Sequence, residues 1–156
     1  MSEHPSLTES IKAAMKAAMK AKEKERLATI RLIQAEFKRV EVDERIEVSD
    51  ERALIILDKM VKQRRDSASQ YHDAGRQELA AQEEREILVL QEFLPTPLTD
   101  NEISAMVDSA IADTGASGVQ AMGSVMNALK LRLQGRADTG AVSKIVKQRL
   151  GALNQD

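Results

Sequence analysis

Apolar residues return every three or four positions along most of this chain, the spacing that lines one side of an α-helix, and the runs are separated by glycines, prolines and small polar caps. Leu7, Ile11, Ala14, Met15, Ala18 and Met19 form the first stripe, and Ser6 with Glu9 has the spacing of a capping box in front of it. A second helix runs from about Glu23 to Val42 through Ile30, Ile33, Phe37 and Val40, until "EVDERIEVSD" breaks the pattern. Ser49 followed by Asp50 and Glu51 opens a third, since a small polar cap and early acids suit the unpaired N–H groups and positive end of a helix. Leu54, Leu57, Val61 and Ala68 give its stripe, and Gly75 reads as a left-handed stop. A fourth helix reaches about Leu94, with Leu79, Ile87, Leu90 and Leu94 inward.

"LPTPLTDNE" is the clearest boundary. Pro95 and Pro97 cannot continue a helix, and Thr99 with Glu102 forms another capping box that starts a new one. Beyond it, Ile103, Met106, Val107, Ala110 and Ile111 lead to Gly115, and Val119, Met122, Val125, Met126, Leu129 and Leu133 to a stop at Gly135. Val142, Ile145, Val146 and Leu150 make the last stripe. The pattern therefore predicts an all-α protein: a four-helix N-terminal domain over residues 1–94, a proline linker over 95–98, and a three-helix C-terminal domain over 99–156. A bundle as short as the last one is marginal by itself.

Two charges depart from the binary pattern. Arg64 falls on the stripe of Leu57, Val61 and Ala68, and Glu83 falls at the centre of the stripe of Leu79, Ile87 and Leu90. If the two helices pair antiparallel about Gly75, Arg64 and Glu83 are expected to meet as a partly buried structural ion pair that fixes register.

Composition narrows the chemistry. Aromatics are 2% of residues, so the core is built from Leu, Ile, Val, Ala and seven Met. The absence of cysteine removes disulfides, thiol nucleophiles and thiolate metal sites, and with no leader or membrane-length apolar run the expectation is a cytoplasmic protein that does not enter membranes. His72 sits near a helix C-terminus, where the dipole favours a charged imidazole, and reads as structural. "GASGVQAMGSVM" lacks the lysine of a phosphate loop, and the acidic clusters lack the spacing of a calcium loop. No catalytic residue, metal site or cofactor is expected.

Charge changes the picture more. Residues 114–150 carry Lys130, Arg132, Arg136, Lys144, Lys147 and Arg149 against Asp138 alone, on a chain whose formal net charge is −2. Such a patch can bind polyanions on an acidic protein, and the shortage of aromatics favours phosphate and shape recognition of a folded RNA over base stacking. Lys130, Arg132, Arg136, Lys144 and Lys147 are the candidate RNA-binding residues. Within "LQGRADTG", Asp138 or Thr139 can cap the last helix, leaving Arg136 as the phosphate contact. "KMVKQRR", with Lys59, Lys62 and Arg65 on neighbouring turns, is a second basic cluster that could track a nucleic-acid backbone or be only a solvated face, and the period-four lysines of "KAAMKAAMKAK" read as a solvated helix face.

Four segments, "AMKAKEKERLATIRLIQAEFKRVEVD", "KMVKQRRDSASQYHDAGRQELAAQEE", "FLPTPLT" and "GASGVQAMGSVMNALKLRLQGRADTGAVSKIV", occur in an order that resembles the YqeY-like family over nearly the full length. That family is similar to the C-terminal tail region of the B subunit of glutamine-dependent aminoacyl-tRNA amidotransferases, where the tail belongs to tRNA recognition. The resemblance implies tRNA or another structured RNA as partner, or docking onto an amidotransferase or synthetase component. Any carbon–nitrogen ligase role, with glutamine as amido-N-donor, would be accessory.

Overall fold

The computed structural model describes residues 4–133 and 136–153. The expected helix stop at Gly135 lies outside them. Among the described residues the chain forms seven α-helices and one 3-10 turn and no strand. They group into two compact units, Met1–Pro95 and Thr96–Asp156.

The first unit contains α1 (Leu7–Lys20), α2 (Lys24–Glu44), α3 (Asp50–Asp73) and α4 (Gln77–Gln91). Both expected caps at its helix starts are present: Ser6 and Glu9 form the capping box, and the Ser49 hydroxyl accepts the Arg52 N–H at 3.2 Å. Gly75 stops α3 at a φ of 75°, with the Arg76 N–H donating back to the Tyr71 carbonyl at 2.8 Å. The core joins Ile11 and Ala18 of α1 to Ile30, Ile33 and Phe37 of α2, Leu57 and Val61 of α3, and Ile87 and Leu90 of α4. Each of these side chains larger than alanine contributes roughly 1.5–3 kcal/mol by leaving water.

Some boundaries and orientations differ from the sequence expectation. The second helix continues through the acidic stretch to Glu44, and Arg45 ends it in the left-handed region at a φ of 56°. The fourth stops at Gln91 rather than Leu94, and Leu79, expected inward, is 38% exposed because Ala80 occupies the inward position. Met19 is likewise half exposed beside the fully buried Ala18.

The expected inward pair is also shifted by one turn. Arg64 donates from Nε to Glu86 at 2.9 Å and from Nη1 to the Met60 carbonyl at 3.3 Å, and it is Glu86, not Glu83, that forms the ion pair. The guanidinium sits on a long stem and reaches sideways to the margin of the α4 stripe, where a carboxylate keeps part of its hydration. Glu83 remains in the stripe, and burial first, then the neighbouring Glu86, pushes its carboxyl above the ordinary value, with Arg64 opposing.

His72 staples the α3–α4 turn. Its Nδ1 meets the Gln77 side-chain oxygen and its Nε2 meets a Glu84 carboxylate oxygen at 2.7 Å, so both nitrogens donate only when the ring is charged. The Glu84 hydrogen bond first, then that to Gln77, holds the imidazole above its ordinary 6.5. Because the folded value lies above the unfolded one, the staple is fully present below pH 6.5 and is lost as the pH rises through the folded value. An NMR titration should place His72 above 6.5, and Glu84→Gln should bring it back toward that value; a wild-type midpoint at or below 6.5 would contradict the staple.

The second unit holds α5 (Asp100–Thr114), a 3-10 turn (Val119–Ala121), α6 (Met122–Leu133) and α7 (Thr139–Leu153). Thr99 and Glu102 form the expected capping box, and Gly115 ends α5 at a φ of 64°. Asp138 caps α7 by accepting the Gly140 N–H at 3.1 Å. Val119, assigned by pattern to the sixth stripe, lies in the 3-10 turn and is 40% exposed. Val107, Ala110, Val125, Leu129, Leu133, Val142, Val146 and Leu150 close the core, with Leu98 packed against it.

Candidate nucleic-acid interface

Four of the five expected RNA-binding residues stand in solvent. Lys130 and Arg132 occupy the last turn of α6, where positive charge suits the helix dipole, and Lys144 and Lys147 lie on α7. None of the four makes an ion pair among the described residues. They do not form one continuous patch. With Val125, Leu129 and Leu133 inward, the turn of about 100° per residue puts Lys130 and Arg132 some 160° apart on opposite flanks of α6. Lys144 and Lys147 are only about 60° apart on α7 and share a side.

Arg136 is different. Its Nε donates to the Thr96 carbonyl at 3.1 Å, its backbone N–H to the Leu133 carbonyl at 2.8 Å, and its own carbonyl accepts the Leu98 N–H at 2.8 Å. The residue ties the segment before α5 to the α6–α7 turn. Its charge also adds, as the smallest contribution, to the lowering of the Glu102 carboxyl, which comes mainly from the Thr99 backbone and side chain of the capping box.

Arg149 is engaged as well. Nη1 donates to the Ser104 carbonyl at 2.8 Å and contacts the Asp108 carboxylate, and Nη2 contacts the Ser104 hydroxyl. It lies on the flank of α7 opposite Lys147 and binds that helix to α5. Of six bases in this segment, two thus hold the unit together and four remain available. Sequence position alone does not separate the two groups, because the acceptors are backbone carbonyls and a carboxylate some forty residues away.

The first unit offers a cleft of about 400 Å³ between the starts of α1 and α3 and the end of α4, lined by apolar Leu7, Leu54 and Phe93. Its acids are already paired: Asp50 accepts the Leu7 N–H at 2.8 Å, and Glu92 accepts from Arg26 Nε at 3.1 Å. Among the described residues no group of three or more His, Asp or Glu is placed to hold a metal ion, and no helix is long and apolar enough to cross a membrane.

The class these features define is an all-helical protein of two units, in which Arg136 and Arg149 are committed to structural contacts while Lys130, Arg132, Lys144 and Lys147 are left in solvent. The chain belongs to the YqeY-like family, whose model, described as Yqey-like protein, matches residues 8–150. It is also 31% identical over 152 residues to altered inheritance of mitochondria protein 41, a mitochondrial protein of Pyrenophora tritici-repentis (strain Pt-1C-BFP), covering 95% of this chain and 81% of the relative.

Proposed function

We propose that this is a cytoplasmic RNA-binding protein that grips the phosphate backbone of tRNA or another structured RNA with the outer surface of α6 and α7. The observation that carries the reading is the set of four solvent-exposed bases, Lys130, Arg132, Lys144 and Lys147, none paired to an acid among the described residues. Lysine and arginine in this condition release counterions when they neutralise phosphates, which makes binding favourable and salt-dependent. The similarity of the family to the tRNA-recognising tail of the amidotransferase B subunit supports the same reading. Arg136 acts here as a positioning residue, holding the turn between the two basic helices. A docked amidotransferase or synthetase component is the weaker reading, because the exposed large apolar side chains of this unit, Val119, Leu131 and Leu153, are dispersed over its 3-10 turn, α6 and the end of α7.

Lys144→Ala with Lys147→Ala should weaken binding of bulk tRNA and reduce the magnitude of the salt slope by about 1.5 to 2. Fluorescence anisotropy at several salt concentrations measures both quantities. Absence of any salt-dependent tRNA binding by the wild-type chain at micromolar concentration would refute the proposal.

A further inference from the structure

A further run of positive charge without an acid lies on the α1–α2 hairpin. Residues 10–22 contain four lysines and no acid. Lys12, Lys16 and Lys20 recur every four residues along α1, about 6 Å apart along its axis, and all three are exposed. Arg31 and Lys38 are separated by seven residues on α2 and so fall on one side of that helix. The two rows meet on the same side of the hairpin: Lys12 and Lys38 both line a cleft of about 190 Å³, with Thr8, Gln34 and Phe37. Glu41 is the acid that borders the same cleft, and the two lysines outnumber it.

None of these bases forms an ion pair among the described residues. Arg26, Arg39, Arg52, Arg64 and Arg85 of the same unit each face a carboxylate. The turn adds another cation in an unexpected position. Lys22 takes a φ of 58° at the residue after the cap of α1, its N–H bonded to the Met19 carbonyl at 3.2 Å and the Glu23 N–H to the Ala18 carbonyl at 3.0 Å. That is the closing turn in which glycine is most at home.

We propose that the exposed lysine rows of the α1–α2 hairpin are a second nucleic-acid-binding surface, independent of α6 and α7, which tracks the phosphodiester backbone of a duplex. Charge complementarity identifies the occupant. Lysines are depleted from the cores of protein interfaces, which are built on aromatic and apolar anchors, and this surface has Lys in their place. Phe37 is 4% exposed, so no ring is offered to an unstacked base. The apolar side of α1 is buried through Ile11 and Ala18, and half-exposed Met19 and Leu32 are too few to make the apolar face that an interfacial helix inserts into a lipid headgroup layer.

The test uses the full chain with bulk tRNA, a DNA duplex and phosphatidylserine vesicles as separate probes. Lys12→Gln, Lys16→Gln and Lys20→Gln together should reduce nucleic-acid affinity at low salt about tenfold or more and the salt slope by about two to three. Equal losses on both nucleic acids mark a pure backbone contact, and a loss on tRNA alone marks A-form geometry; either supports the proposal. Lys22→Gly should raise the melting temperature while still weakening binding, which separates lost contact from lost fold. Unchanged affinity in the triple variant overturns the proposal, as does a loss no larger than that of Lys59→Gln with Lys62→Gln, or a variant-sensitive binding seen only with the vesicles. Loss in the triple variant with none in the Lys144/Lys147 variant keeps the hairpin surface and removes the α6–α7 reading; the reverse pattern removes the hairpin surface alone.

Discussion

Leu129→Ala is expected to lower the stability of the second unit by about 3 kcal/mol, within the 2–5 kcal/mol range for emptying a buried leucine site. Leu129 is fully buried, and it lies at the middle of the α6 stripe, between Val125 and Leu133. Among the described residues eight fully or nearly fully buried side chains form the centre of that core. A unit of about sixty residues holds on the order of 3–9 kcal/mol in total, so one truncation removes a large share of it. The midpoint should fall by at least about 10 °C, read by circular dichroism, and amide protection in α5, α6 and α7 should collapse at temperatures where the wild-type unit is protected. Leu129→Met, which preserves volume, should cost less than about 1.5 kcal/mol. Intact protection in the alanine variant would mean that α6 does not depend on this side chain.

The fold was legible wherever a helix start or stop was written in a residue with one mechanical use. Ser6, Ser49 and Thr99 each supply a side-chain oxygen to an early N–H, and the helices begin where those residues stand. Gly75 and Gly115 adopt positive φ and the helices end there. The ends of α1 and α2 were less legible because Lys22 and Arg45 occupy left-handed positions that pattern reasoning reserves for glycine. Helical spacing located the inward stripes but not their edges, as Leu79 and Met19 show, since a neighbouring alanine can take the buried position when the opposing helix approaches closely.

The basic surface was legible as charge and not as availability. Arg136 and Arg149 look like Lys144 and Lys147 in sequence, yet the first two donate to Thr96, Ser104 and Asp108 and the last two stand in solvent. The guanidinium has several donors in a fixed plane and reaches carbonyls and carboxylates from a distance, whereas the ammonium is a compact, strongly hydrated charge. The same chemistry divides the first unit. Arg26, Arg39, Arg52, Arg64 and Arg85 are drawn into pairs, and the lysines of α1, which the period-four repeat presents as an ordinary solvated face, are left in solvent.

Glu86→Ala is expected to cost about 2–3 kcal/mol, while Glu83→Ala costs nothing or stabilises the chain. Arg64 and Glu86 are each 15% exposed, so their charges have lost much of their hydration and depend on each other. Removing one partner of a fully buried pair costs roughly 3–5 kcal/mol because the other charge is stranded; residual solvent here brings the figure down. The Met60 carbonyl retains part of the guanidinium's hydrogen bonding in the variant. Glu83 sits in the same stripe with the opposite sign of effect, because burial and Glu86 both oppose its negative charge. Its folded value is raised, so the penalty for the charged form is absent below the ordinary 4.5 and grows as the pH passes the folded value. Removing Glu83 should therefore help most near neutral pH and make no difference in acid. Thermal melts of both variants at about pH 4 and about pH 7, on either side of that window, measure this contrast. Arg64→Met with Glu86→Leu should recover most of the stability that Glu86→Ala loses, since neither charge is then left without its partner. A fall in melting temperature for Glu83→Ala as large as that for Glu86→Ala would return the ion pair to Glu83.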